Sequence, residues 1–301
     1  MSSVRGIFLK ISALLLFTVM AAMIKAAVAV VPAGQAVFFR AFCALPVILL
    51  WLRWRGELAT GLRTRHPWLH LWRGTIGGLS MGLTFVALGL LPLPEVTVVG
   101  FVTPILTLVL SVLMLGETVR LFRWSMVLLG LVGVVIVVSP RLSLEGAADR
   151  LALWGLLAAT ISAGLRSLVQ IHVRRMVKTE NPATIVFYFA VIVSLGGLAT
   201  APFGWVMPDA KVWALMIGAG VLGSVAQLMV TSAVRQAEPS VLAPFDYVSI
   251  LFSMLVGFVV FGDVPTGAMW AGASLVILSG VLIVLRERQL GLKKPREPQT
   301  P

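Results

Sequence analysis

Apolar runs of about twenty residues, parted by short polar connectors, occupy the chain almost without interruption from residue 7 to residue 285. Ten such runs can be marked, at 7–29, 33–52, 72–91, 95–115, 121–139, 152–173, 183–203, 211–233, 239–261 and 266–285. A helix rises about 1.5 Å per residue, so each run can cross a hydrocarbon layer about 30 Å thick. In lipid the backbone has no water to bond to, and a helix satisfies its own N–H and C=O groups. The pattern predicts an all-α integral membrane protein of ten transmembrane helices, with no stretch left for a separate soluble domain.

Composition agrees: 59% of residues are hydrophobic, 12% are charged and the mean hydropathy is +1.00. Soluble domains run closer to half apolar and a quarter charged. The net charge of +12 raises nucleic acid as a partner, but its distribution argues otherwise. With the N-terminus cytoplasmic, eighteen of the twenty-four Lys and Arg residues fall on cytoplasmic segments, Lys10 and Arg73 among them. Three (Arg141, Arg150, Lys211) fall on the opposite side, and three (Lys25, Arg40, Arg166) lie within spans. This is the positive-inside asymmetry. It predicts both termini in the cytoplasm, the basic tail 286–301 included, and explains the basicity without nucleic acid. The start "MSSVRGIFLK", an apolar stretch and "AVA" at 27–29 also resemble a signal peptide. Cleavage there would remove a span that the internal repeat requires, so retention is expected.

The repeat is visible in two segments. "FVTPILTLVLSVLMLGETVRLFRW" (101–124) aligns without a gap with "YVSILFSMLVGFVVFGDVPTGAMW" (247–270), matching Phe101 to Tyr247, Gly116 to Gly262, Glu117 to Asp263 and Trp124 to Trp270. "VPAGQAVFF" (31–39) resembles "ENPATIVFY" (180–188). The expected units are 7–139 and 152–285, five spans each. Five is odd, so the second unit starts on the opposite side of the membrane and the halves are inverted repeats. In transporters that arrangement places substrate between the halves. Gly74, Gly78 and Gly82 form a smooth stripe suited to close helix packing inside the chain or in a homodimer. Pro104, in mid-span, should bend span four and free a carbonyl. Ile250 stands opposite it, so the second half should bend elsewhere, near Pro244.

Charges within the membrane are costly and mark function. By depth, Lys25, Arg40 and Glu95 share an outer level, Arg40 about 10 Å in, while Arg166 and Asp246 share an inner level. These five are the candidate substrate or gate charges, at opposite ends of one cavity. Phe101, Phe245 and Tyr247 are the aromatic candidates, the last two flanking Asp246, with Phe39, Phe85 and Trp270 behind them. Gln35, Gln170 and Gln227 are further polar candidates. The single cysteine, Cys43, can form neither an internal disulfide nor a metal site. No catalytic motif, phosphate loop or paired acidic motif is present, and His66, His70 and His172 all fall towards the cytoplasmic side. No catalytic residue, metal or cofactor is expected, which disfavours an enzyme and an ATP-driven pump.

"QAVFFRAF", "HPWLHLWRG", "PEVTVVGFVTPILTLVLSVLMLGE", "RW…GLVGVVIVV" and "SVLAPFDYVSILFSML" together resemble the EamA-type members of the drug/metabolite transporter superfamily, from about residue 7 to residue 285. The resemblance implies a bacterial inner-membrane carrier of two EamA units moving a small organic metabolite. The "H…RG" and "APF-D-Y" stretches look closest to the branch with S-adenosylmethionine carriers and riboflavin transporters, and amino-acid exporters are more distant. Asp263 departs from the glutamate usual in the family. Riboflavin or an S-adenosylmethionine-like metabolite is the expected substrate. An exporter of amino acids or other metabolites, a channel and a non-transporting scaffold are the alternatives.

Overall fold

The computed structural model describes residues 2–115, 121–141, 147–176, 179–237 and 239–291. Every regular element in these residues is helical. The first half holds α1 (Ser2–Val28), α2 (Ala33–Phe42), α3 (Ala44–Trp54), the short α4 (Leu58–Gly61), α5 (Pro67–Leu90), α6 (Leu93–Gly100), α7 (Val102–Leu115) and α8 (Leu121–Val138). The second holds α9 (Ala147–Met176), α10 (Pro182–Leu198), α11 (Ala210–Gln236), the short α12 (Pro239–Leu242), α13 (Val248–Val256) and α14 (Gly267–Gly291). Among the described residues nine stretches are long and apolar enough to cross a membrane, α2 with α3 and α6 with α7 each counting as one. The apolar part of α10, Ala183–Leu198, is shorter than the rest.

Two of the long stretches are broken, and sequence explains where. Pro46 cannot donate to the carbonyl of Phe42, and the helix is interrupted at Cys43 between α2 and α3. Pro104 cannot donate to the carbonyl of Gly100, and the break falls at Phe101 between α6 and α7. In the second half a 3₁₀ turn over Ala243–Tyr247, containing Pro244, leads into α13. Both expected bends are therefore present. They end on matched residues, Phe101 and Tyr247.

Helix partners are exchanged between the halves in a two-fold manner. The first span (α1) packs along the eighth (α11), and the sixth (α9) along the third (α5). A two-fold operation turns each of these pairs into the other. The remaining matched spans pack on each other: α2 on α10, α6 on α13, and α8 on α14. Glycines set several of these approaches. Gly74 lies against Ile192 and Gly78 against Val193 on α10, so the stripe on α5 is used inside the chain. Gly133 meets the Gly272 backbone where α8 crosses α14. Capping fixes two helix starts. Asn181 accepts from the Ala183 N–H and Asp209 from the Val212 N–H, both at 2.9 Å.

Apolar side chains point outward as well as inward. Leu50, Leu113, Trp154 and Val259 are all more than 60% exposed. In water such a surface would aggregate; it suits lipid. Buried polar groups cluster between helices instead. Gln35 bonds both ways to the Val206 backbone, at 2.9 and 3.2 Å, which makes it a structural tie rather than a substrate contact.

Candidate functional site

A cavity of about 640 Å³ opens between the halves. One face of α1 lines it with Lys10, Leu14, Phe17, Thr18 and Ala21. Thr97, Gly100, Phe101 and Pro104 come from α6 and α7, Arg166 and Gln170 from α9, and Asp246 and Tyr247 from the 3₁₀ turn. The two helix breaks project their end residues into it. Phe101 and Tyr247 stack there, with centroids 4.9 Å apart and planes at 21°. Gly280 on α14 makes room for this stack: the Tyr247 ring occupies the space a Cβ there would fill.

Lys10 and Asp246 form an ion pair of 2.6 Å across the cavity wall, the lysine side chain 12% and the aspartate 43% exposed. Arg166 turns to neutral partners. Its NH2 donates to the Thr84 hydroxyl at 3.1 Å and the Ser162 hydroxyl at 3.3 Å. Ser162 is itself bonded to Ser80 and Thr84, so the guanidinium rests on a hydroxyl cluster between α5 and α9. Gln170 accepts from the Thr107 hydroxyl at 2.9 Å.

A second cavity of about 270 Å³ lies beyond Arg166 and Thr84, which line both. Arg40 and Arg73 enter it, among Met20, Met81, Phe85 and Phe189. Arg73 lies 4.3 Å from the Phe189 ring centroid, and its Nε and NH1 are buried without hydrogen-bond partners among the described residues. The Arg40 guanidinium lies beside Gly223 of α11. Among the described residues no acidic side chain lines this cavity.

Lys25 lies at the far end of α1. Lys25 Nζ donates to the carbonyls of Leu91 at 2.6 Å and Leu88 at 3.3 Å, behind the wall that Leu88 gives the larger cavity. It lies 5.3 Å from the Phe261 ring, and Asp263 and Glu95 are the acids that act on it. Gly262, at φ 69°, turns the chain into Asp263 through a conformation glycine favours. At the other end, Glu180 joins the α9–α10 connector to the segment before α5. Burial acts to raise its pKa, but bonds from the Thr64 hydroxyl and the Arg65 N–H, with His70 Nε2 3.4 Å away, outweigh this and hold the carboxyl below its usual range.

Residues grouped by depth take different partners. Arg166 and Asp246 share a cavity but do not pair, because Lys10 reaches the aspartate first. Lys25, Arg40 and Glu95 do not form one outer set: Arg40 turns into the smaller cavity while Lys25 caps carbonyls. Phe101 and Tyr247 line the larger cavity, and Phe245 lines neither. Phe39 packs edge-on to Trp213 at 4.6 Å, and Trp270 is 53% exposed on the outer surface. Lys10 and Arg73, counted above among the cytoplasmic charges, prove to be cavity residues. Each lies one turn or two inside its helix, where a count by connector overlooks it. Glu117 lies outside the described residues.

Membrane-length helices in two interlocked halves, with a charged and aromatic cavity between them, have the build of a membrane transporter. The chain belongs to the EamA-like transporter family, matched over residues 4–139 and again over 152–285. It is 30% identical over 266 residues to a riboflavin transporter of Rhizobium johnstonii, covering 88% of this chain and 84% of that one. It is 27% identical to a pseudopaline exporter of Pseudomonas aeruginosa, over 92% and 95% of the two chains. It is 26% identical to an S-adenosylmethionine uptake transporter of Rickettsia bellii, over 86% of each. A solved crystal structure shares the fold with a TM-score of 0.69 at 21% identity, over 95% of this chain and 98% of its own. The protein is a multi-pass membrane transporter of small metabolites, and its family and relatives are transporters rather than enzymes.

Proposed function

We propose that this chain is a carrier of the bacterial inner membrane that moves a small planar metabolite, riboflavin or an S-adenosylmethionine-like compound, by alternating access. The observation that carries this reading is the larger cavity. It lies between the halves, and matched residues of the two repeats, Phe101 and Tyr247, stack within it. An aromatic stack beside a carboxylate and an arginine suits a heteroaromatic ring with polar edges. In this reading α10 is a span as well, the seventh of ten, the units 7–139 and 152–285 are inverted, and both termini are cytoplasmic. Lys10, Asp246, Arg166, Phe101 and Tyr247 face the substrate, with Arg40 beyond them. Lys25, Glu95 and Asp263 close the opposite end, and Phe245 supports the turn that carries Asp246. No nucleotide hydrolysis enters; a gradient or exchange drives the step.

Counterflow in proteoliposomes tests it. Vesicles preloaded with unlabelled riboflavin or S-adenosylmethionine should show saturable, transient accumulation of the labelled compound in one of the two batches. Uptake that never saturates would identify a channel. Absence of accumulation in both batches would remove both substrates.

A further inference from the structure

The smaller cavity holds three guanidinium groups from three helices, Arg40 of α2, Arg73 of α5 and Arg166 of α9. The rest of its lining is apolar or hydroxyl-bearing, with Thr84 and Phe189 beside the arginines. Arginine is always charged, and three like charges in low-dielectric surroundings repel unless an anion lies among them. Elsewhere in this protein buried cations have such partners: Lys10 has Asp246, and Lys25 has two carbonyls and nearby acids. Arg166 has only hydroxyls, Arg73 a ring face, and two buried nitrogens of Arg73 have no hydrogen-bond partner among the described residues. A stack of apolar side chains would pack this space better than arginines if packing were its purpose. The planar guanidinium fork matches a carboxylate or a phosphate with two parallel bonds.

We infer that the Arg40–Arg73–Arg166 cavity is an anion subsite that takes a carboxylate or phosphate group of the transported molecule. Arg166 and Thr84 stand at its junction with the larger cavity, so one ligand can place its ring against Phe101 and Tyr247 and its anionic group among the arginines. The inference deepens the proposed carrier function and rests on it. It also ranks the candidate substrates: a ring compound with an anionic arm fits better than an uncharged one. Of the two named above, S-adenosylmethionine bears a carboxylate and riboflavin bears no anion.

Thermal unfolding of the purified full-length protein in detergent tests this without transport. The probes are matched pairs: flavin mononucleotide against riboflavin, and S-adenosylmethionine against its decarboxylated analogue, with inorganic phosphate and acetate as separate arms. The anionic member of at least one pair should raise Tm by several degrees more than its partner. The flavin pair reports a phosphate, the other pair a carboxylate. Arg40→Gln and Arg73→Gln should each raise the half-saturating concentration of that compound at least tenfold, leaving the response to the partner that lacks the anionic group unchanged. Arg73→Lys should recover only part of the response, because it restores the charge without the fork. The subsite is overturned if wild type does not distinguish the members of either pair, and that comparison stands even if a variant misfolds. It is also overturned if folded variants respond as wild type. Counterflow that succeeds with charge-blind unfolding removes the subsite alone. An intact anion response without counterflow removes the carrier reading alone.

Discussion

The Lys10–Asp246 end of the larger cavity and the arginine cavity beyond it solve the same electrostatic problem in opposite ways. At the first, a cation in a membrane helix is neutralised by a carboxylate 2.6 Å away. At the second, three arginines line one cavity with hydroxyls and aromatic rings and, among the described residues, no acid. A paired charge can stand as structure and can rearrange by changing partners. An uncompensated cluster costs stability until something anionic arrives. The first region therefore reads as a movable joint between α1 and the turn before α13, and the second as a place for cargo.

Breaking the pair should have the largest effect. Asp246→Ala leaves Lys10, 12% exposed, without its carboxylate, although the 43% exposure of Asp246 lets solvent screen part of the loss. Transport should fall about 100-fold, equivalent to about 2.7 kcal/mol on the rate-limiting step, because α1 and the turn before α13 lose their joint, with membrane insertion intact on fractionation. The exchange Lys10→Asp with Asp246→Lys should restore part of it, because the pair is regained with its sign reversed. Arg40→Ala comes next. Removing one charge-assisted contact, about 1.5–3 kcal/mol, should raise the half-saturating substrate concentration about ten- to a hundredfold in counterflow. Unlike Asp246→Ala, it should leave Tm unchanged or higher, because it relieves repulsion. A lower Tm for Arg40→Ala would place it with the structural charges.

Gly280→Ala sharpens the comparison from the aromatic side. The new methyl group needs space now held by the Tyr247 ring, and overpacking costs about 1–3 kcal/mol. Tm should drop by several degrees and transport by about tenfold, and adding Tyr247→Ala should recover the stability but not the transport. The smallest effect belongs to Glu180, outside both cavities. Its pKa is depressed when folded, so its contribution is fully present above the unfolded value and lost as pH falls through the folded one. Tm should therefore decline on acidification below the ordinary glutamate value of 4.5, and Glu180→Gln should flatten that decline.

Much of the architecture is legible because lipid imposes a coarse code. Apolar runs of span length, a basic asymmetry and an internal match between Phe101 and Tyr247 lead from sequence to a two-unit bundle. Proline placed the breaks, since a missing N–H acts locally. The site was harder. Depth along a helix says which residues share a level, but not the direction of a long side chain. Arg40 and Lys25 lie at similar depth and go different ways, one into the arginine cavity and one onto the Leu91 carbonyl. Lys10 and Arg73 look like connector charges because each lies near a helix start, and only the packing of α1 against α13 and of α5 against α9 and α10 turns them inward. Phe245 sits beside Asp246 in sequence yet lines neither cavity, and Trp270, matched to Trp124 in the repeat, is exposed on the outer surface.

Side-specific labelling tests most directly whether one cavity is exposed in turn to the two faces of the membrane. Thr97 lines the larger cavity, and Cys43 is the native thiol to remove. Thr97→Cys in a Cys43→Ser background would be exposed to a membrane-impermeant thiol reagent in sealed vesicles of both orientations. The account predicts fast modification from the face that carries the start of α1 and slow modification from the other. Lys25→Met should speed the slow side by releasing the Leu88 and Leu91 carbonyls. Equal, fast modification from both faces in the background protein would contradict it, because a path open at both ends is a channel.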